Sequence, residues 1–433
     1  MGKNSRQRHA AKLRDHAARR QARGDHDPRS TSSSGHGSHS NNSGPGVNTV
    51  VVTAARFAYG PGESAERFDH AAAAAIAADP TGDVTSHMTS QALGRLWSNG
   101  WQPADVIHIA RRQFGAKVAQ AATRSVLVEA TQSGAEDRAP QEWLDQLDEI
   151  GERPDDGALG FDAAMASLRF LGLLLGQPKL PFLLPPPSEW GHTTVRRTVR
   201  PVAAGVDQKL LAKIRALLAK AEATTFAEEA ESFTAKAQEL MARYTIDAAL
   251  LGSASESKVD VRGRRVHIDD PIASSKAQLL GAVAYANGGR VVYDQGLSFA
   301  TVMAESFEHR LIEVLYTSLL VQATKASATA AIAANRTRTP SFRRAFLLSY
   351  AVRIGERLRL AQHVVQTQAV ADHGSSFLPV LVRRDEAVAE ATREAFPNSA
   401  PIKNRSVDGQ GWKAGRVAAD IADLGKDRSE LAG

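Results

Sequence analysis

The chain has 433 residues and no cysteine, with 53 Lys and Arg against 47 Asp and Glu, a formal net charge of +6. That length suits two or three domains, and the missing thiols exclude disulfides, cysteinyl metal sites and cysteine nucleophiles together. No stretch approaches the roughly 18 apolar residues of a membrane span, so no membrane partner is expected and a cytoplasmic location is the expectation.

Residues 1–45 hold nine of the basic residues and three of the acidic ones, which leaves 44 of each sign in the rest of the chain. The body is therefore formally neutral and the excess charge sits on the tail. The tail opens without an apolar stretch, so no secretory signal is expected. It continues into TSSSGHGSHSNNSGPG, which has almost nothing to bury, and the expectation is a disordered basic tail. Such a tail suits either an electrostatic arm for nucleic acid or an anionic surface, or a solubilising extension.

Residues 46–176 read as a helical N-terminal domain. In SQALGRLWSNG followed by WQPADVIHIARRQFGAKVAQ, Asn99 and Gly100 supply a helix stop and Pro103 suits a first helical turn. A second helix bearing Arg111 and Arg112 after a Gly-containing turn fits a DNA-reading helix-turn-helix, and equally an ordinary bundle. Residues 177–206 are a proline-rich linker, since GQPKLPFLLPPPSEW propagates neither a helix nor a central strand.

Residues 207–250 predict a central helix hairpin. Leu210, Leu211, Ile214, Leu217 and Leu218 recur at helical spacing, as do Ala230, Phe233, Ala237, Leu240, Met241 and Tyr244. Thr225 and Glu228 match the capping-box pattern, which starts the second helix at Phe226. Two short helices cannot bury both stripes against each other, so the hairpin should dock elsewhere on the chain.

From residue 256 to 424 the pattern predicts a mixed α+β domain. SKVDVRGRRVHI alternates as a strand, KAQLLGAVAYANGG reads as a helix with a glycine stop, and RVVYD with FATVMA flanks a Gln295-Gly296 turn as a hairpin. A long helix is expected from Glu305 to about Ala334 and a second from Ser341. FLPVLVRR reads as a strand, DEAVAEATREAF as a helix, PIKNRSV as a strand and GQGWKAGRVAADIA as the last helix. The fold class expected is thus α+β, with a helical N-terminal domain, a central helix hairpin and a C-terminal mixed domain.

The hairpin carries the motif K-I-x-x-L-L-x-K-A-E-x-T, then E-A, then K-A-Q-E-L-M, met by Lys213, Ile214, Leu217, Leu218, Lys220, Ala221, Glu222, Thr224, Glu229, Ala230, Lys236, Ala237, Gln238, Glu239, Leu240 and Met241. This resembles the bacterial and phage family called domain of unknown function 2786. GWQPADVIHIARR, EVLYTSLLVQA, RRAFLLSYAVRIGERL and GWKAGRVAAD look like its longer actinobacterial members, so the resemblance spans about residues 90 to 422. It implies a recurring architecture often found near phage or mobile-element genes, and no established reaction or catalytic residues.

Three groups of residues are candidate sites. On the helix from Ser341, Phe346, Tyr350, Ile354 and Leu358 fix an apolar face that Arg357 shares, with Arg343 near its start. A guanidinium there must find a carboxylate, a carbonyl or a bound anion. Arg343, Arg353 and Arg357 belong to the most basic segment outside the tail and are candidates for nucleic acid or another anion. In the last helix Gly411, Gly415 and Ala419, four apart, form a stripe for close helix packing, and Lys413 and Arg416 would help an anion at its start. Glu305, His309 and Glu313 are spaced four apart, which is usable metal chemistry, although three ligands on successive turns of one helix splay apart. His267, Asp269, Asp270, Asp372 and His373 sit at element ends, where such residues usually cap or turn.

No P-loop, HExxH or GxSxG motif occurs, and no cofactor is expected. The leading expectation is a non-catalytic, nucleic-acid-associated accessory protein of phage or mobile-element type. The alternatives are a protein-interaction scaffold docking a partner through the hairpin, and a metal-dependent hydrolase or nuclease.

Overall fold

A computed structural model describes residues 46–59, 65–151, 160–191, 201–224, 227–253, 259–335, 339–400 and 408–421. Its contacts divide the chain between Lys179 and Leu180, inside the proline-rich stretch, into two units.

The first unit is helical: α1 (Val47–Tyr59), α2 (Ala65–Ala78), α3 (Asp83–Trp97), α4 (Pro103–Phe114), α5 (Ala116–Ser133), α6 (Ala135–Arg138), α7 (Gln141–Ile150) and α8 (Phe161–Leu175). Local chemistry sets the ends. Gly100 takes a left-handed φ of 83° just after α3, and Pro103 opens α4 behind a reciprocal cap between Gln102 and Asp105. Asp79 caps α3 from the preceding loop, accepting from the amides of Val84 at 3.2 Å and Thr85 at 2.8 Å and from the Thr85 hydroxyl at 2.7 Å. The core is built on aromatic rings, with Trp97 and Trp143 edge to face at 5.9 Å. Trp97 Nε1 donates to Glu129 at 2.7 Å, and burial pushes that carboxyl above its usual range.

The second unit begins with residues 180–191, part of which lies on the sheet: Arg265 donates to the Pro181 carbonyl at 2.8 Å. It continues through α9 (Pro201–Ala223), α10 (Ala227–Ser253), β1 (Val261–His267), α11 (Ala273–Ala286), β2 (Arg290–Asp294), β3 (Phe299–Glu305), α12 (Glu308–Ala333), α13 (Pro340–His373), α14 (Leu378–Ala395) and α15 (Gly409–Ile421). The strands form an antiparallel sheet in the order β1-β3-β2. Val261 to His267 pair with Glu305 to Phe299, and Arg290 to Asp294 with Met303 to Phe299. The central strand is buried on both faces from Phe299 to Ala304, which is why its sequence reads as a continuous run.

The hairpin docks as its unpaired stripes require. Leu211, Ile214 and Leu218 of α9 and Ala237 and Met241 of α10 enter one core with α11, the sheet, α12 and α13. The expected hairpin of β2 and β3 forms, and so do the strand at 261–267 and the helix at 273–286.

Two expectations are corrected. FLPVLVRR is the opening of helix α14 and not a strand, because Pro379 occupies the first turn, where its missing amide costs nothing, and Phe377 and Val380 pack with Ile246, Ala249 and Ala369. The long helix expected from Glu305 starts at Glu308, leaving Glu305 as the last residue of β3. The basic tail, the cap at Thr225 and the strand expected in PIKNRSV lie outside the described residues.

Candidate functional site

α13 has 34 residues, about 50 Å at 1.5 Å per residue, and its apolar residues change face along it. From Phe342 to Leu358 they serve the core. Beyond that, Leu360 and Val364 are exposed and face a groove of about 1060 Å³ that α13 forms with α9 and α10. Leu217, Phe233, Ile246, Leu360, Ala361, Val364, Val365 and Ala369 give it an apolar floor. The α10 rim carries Lys236, Glu239, Arg243 and Asp247, one to each turn and alternating in sign. Glu239 ties this rim together, reaching Lys236 at 2.8 Å and Arg243 at 3.0 Å. The α13 rim carries Arg353, Glu356 and Arg357 toward one end and Asp372 and His373 toward the other.

The arginines singled out in the sequence are engaged by the chain itself. Arg353 pairs with Glu356 at 2.8 Å and with Asp420, and these partners hold its pKa above its usual value. Arg357 donates to the carbonyls of Ala419 and Asp420, the last turn of α15. Burial pulls its pKa down, with Asp420 acting the other way. Its apolar position is thus answered by the C-terminus of a neighbouring helix, a natural seat for a cation. Arg416 lies 3.7 Å from Glu356, so Arg353, Arg357 and Arg416 come together around the end of α15, while Lys413 and Arg343 are exposed on their helices.

The residues considered for a metal are not assembled. Glu305, on β3, has Arg384 of α14 at 3.0 Å, an ion pair without hydrogen-bond alignment. His309 Nε2 stands 3.1 Å from the Arg262 carbonyl, and Glu313 pairs with Arg264 at 3.1 Å. Among the described residues no three His, Cys, Asp or Glu side chains group as a metal would need. His267 packs edge-on against Phe299 at 5.3 Å, and Asp372 accepts from Gln368 at 3.0 Å.

Sequence reasoning missed a buried polar cluster under the hairpin. Glu308 is buried and reaches back to the Glu305 amide at 3.4 Å. Its carboxyl lies against Gly288, where a Cβ would sit 3.2 Å from it. Burial first, then the neighbouring Glu305 charge, pushes Glu308 up to about 8 against the pull of Arg384. Burial likewise holds His309 down at about 4 and raises Glu305. Gln238 of the hairpin motif donates to Asn287 at 3.4 Å, and Arg384 also reaches the Thr245 carbonyl at 3.3 Å. The cluster fastens α10 to the sheet. Misreading FLPVLVRR as a strand hid Arg384, because helical spacing is what carries it to Glu305.

The fold and the groove define a mostly helical α+β chain with an apolar channel along a helix pair. Residues 209–248 match the family described as a protein of unknown function, DUF2786. That segment supplies the whole α10 rim of the groove. No curated protein and no solved structure matches the chain. No helix among the described residues is long and apolar enough to cross a membrane.

Proposed function

We propose that the chain is a non-catalytic interaction module whose groove between α10 and α13 takes an amphipathic helix of a protein partner. The observation that carries this reading is the exposure of Leu360 (42%) and Val364 (59%) on the groove floor, which water leaves unpaid and an apolar stripe would cover. From Arg353 to Asp372 the groove follows α13 for about 28 Å, the length of a five-turn helix. Its rims carry Lys236, Arg243, Arg353 and Arg357 against Glu239, Asp247, Glu356 and Asp372. Rims that sum to zero do not suit a polyanion. Alternating signs beside an apolar seam suit a helix with mixed charges flanking its own stripe.

A photoreactive phenylalanine at Val364 is expected to cross-link in cells to a discrete protein, within a segment whose apolar residues recur every three or four positions. The same probe at Val382, exposed but outside the groove, is expected to give no such product, and Leu360→Glu to abolish it. No product at 364, the same product at 382, or a product that survives Leu360→Glu would overturn the reading.

Nucleic-acid association is a second reading, and one surface feature favours it. Tyr285 is 53% exposed, with the Arg290 and Arg359 guanidinium groups 4.7 and 5.9 Å from its ring centre. An exposed ring beside two cations is the chemistry of a base-stacking platform. On this reading Tyr285→Ala weakens binding of a single-stranded oligonucleotide about tenfold, given the usual worth of one stacked base, and Tyr285→Phe leaves it unchanged. Binding unaffected by Tyr285→Ala would assign any affinity to the basic tail.

A further inference from the structure

Between α3, α5 and α8, well away in sequence from the hairpin, lies a cavity of about 590 Å³. Among its described lining residues the one cation is Arg124 of α5. Its Nε is sealed from solvent and has no hydrogen-bond partner, and no carboxylate pairs with it among the described residues. Several other partly buried arginines have an oxygen partner. Arg265 has a carbonyl, Arg290 has Asp385, Arg357 has the end of α15 and Arg384 has Glu305.

A guanidinium Nε sealed from water without an acceptor is costly, and an anion that reaches it supplies the missing acceptor. The cavity's own carboxylates are occupied elsewhere. Asp79 is spent on the first turn of α3, and Asp83 accepts from Thr81 at 2.7 Å. Beside Arg124 the hydroxyls of Ser86 and Ser125 line the same space and have no partner among the described residues. Arg124, Ser86 and Ser125 thus line one cavity with donors unpaired among the described residues, while Ile76, Val128, Phe161 and Leu168 give the rest of it an apolar wall.

We infer that this cavity binds a small organic anion, an apolar body carrying one oxyanion head that the Arg124 fork and the two hydroxyls hold. A planar guanidinium matches a carboxylate or a phosphate through paired N–H donors, and the single cation fits one head group rather than a polyphosphate. The apolar wall selects ligands with a hydrocarbon part over inorganic ions.

The test is calorimetric titration of the full chain with octanoate, hexyl phosphate and octan-1-ol. At least one of the two anions is expected to bind ten or more times tighter than the alcohol, and the better of them identifies the head group. Arg124→Met is expected to bind octanoate and hexyl phosphate no better than the alcohol. The ligand-free variant should also melt higher, because it loses a sealed, unpaired Nε donor and no partner. The tail is untouched by this substitution, so anion preference that persists in Arg124→Met would belong to the tail and overturn the inference. Equal binding of alcohol and anions, or no binding of any probe, overturns it without reference to a variant. A lower melting temperature in Arg124→Met would also overturn it, since the guanidinium would then have a structural partner.

Discussion

Gly415→Ala is expected to destabilise the second unit by roughly 3–5 kcal/mol, the scale of an over-packed core contact combined with the loss of a buried charge's partners. Mid-helix Gly→Ala normally stabilises by up to about 1 kcal/mol, so even the sign is diagnostic. A Cβ at Gly415 would lie 2.1 Å from the Phe346 carbonyl oxygen, and one at Gly411 2.5 Å from that of Phe342. Both obstacles are backbone in the first two turns of α13, which the core holds through Phe342 and Phe346 themselves, so neither can give way as a side chain does. The outcome is expulsion of α15, and with it go the carbonyls of Ala419 and Asp420 on which Arg357 depends. Trp412, half-buried on α15, provides the readout: its emission should shift to the red and amide exchange across 409–421 should lose protection. Gly281→Ala, on α11 where nothing lies within 4 Å of the added carbon, is the control and should be neutral or stabilising. If Gly415→Ala behaves like Gly281→Ala, the close approach of α13 and α15 is wrong.

That stripe of small residues was legible because it needs only spacing: Gly411, Gly415 and Ala419 fall on one line of any helix. The hairpin, the three strands and the need of Arg357 for a partner were legible for the same reason, each being a local pattern with one physical solution. Eight residues of FLPVLVRR are too few to separate a period of 2 from one of 3.6, and the decision came from Phe377 and Val380 meeting Ile246 and Ala369. Glu305 carries no local sign that it ends a strand. The groove was out of reach altogether, since it depends on which faces of α10 and α13 meet across more than a hundred residues. Arg124 looks in sequence like any solvated helical arginine, and only the cavity around it shows that it has no counter-charge among the described residues.

The second unit should lose stability as the pH rises from 6.5 to 8, at up to about 1.4 kcal/mol per pH unit. Glu308 is the source. Its folded pKa of about 8 lies above the ordinary 4.5, so the folded state keeps a proton that the unfolded chain gives up. Its contribution is complete below 4.5 and is lost as the pH climbs through 8. Glu305, also raised, adds a loss of the same sign. His309 works in the opposite sense. Its folded pKa of about 4 lies below the ordinary 6.5, so its contribution is complete above 6.5 and is lost as the pH falls through 4. Between 4.5 and 6.5 His309 offsets part of the loss from the two carboxyls, so the slope there should be shallower than it would be without His309. Arg384 cannot rescue the alkaline side, because one guanidinium would then face two carboxylates while already serving the Thr245 carbonyl. Amide exchange of the 299–320 segment, followed from pH 6.5 to 8 after correction for the intrinsic rate, isolates this cluster from the rest of the chain. Glu308→Gln, which imitates the protonated acid, should remove most of the slope and leave the segment better protected than the unaltered chain at pH 8. A flat profile in the unaltered chain, or the same slope in Glu308→Gln, would mean that Glu308 does not hold its proton in the folded protein.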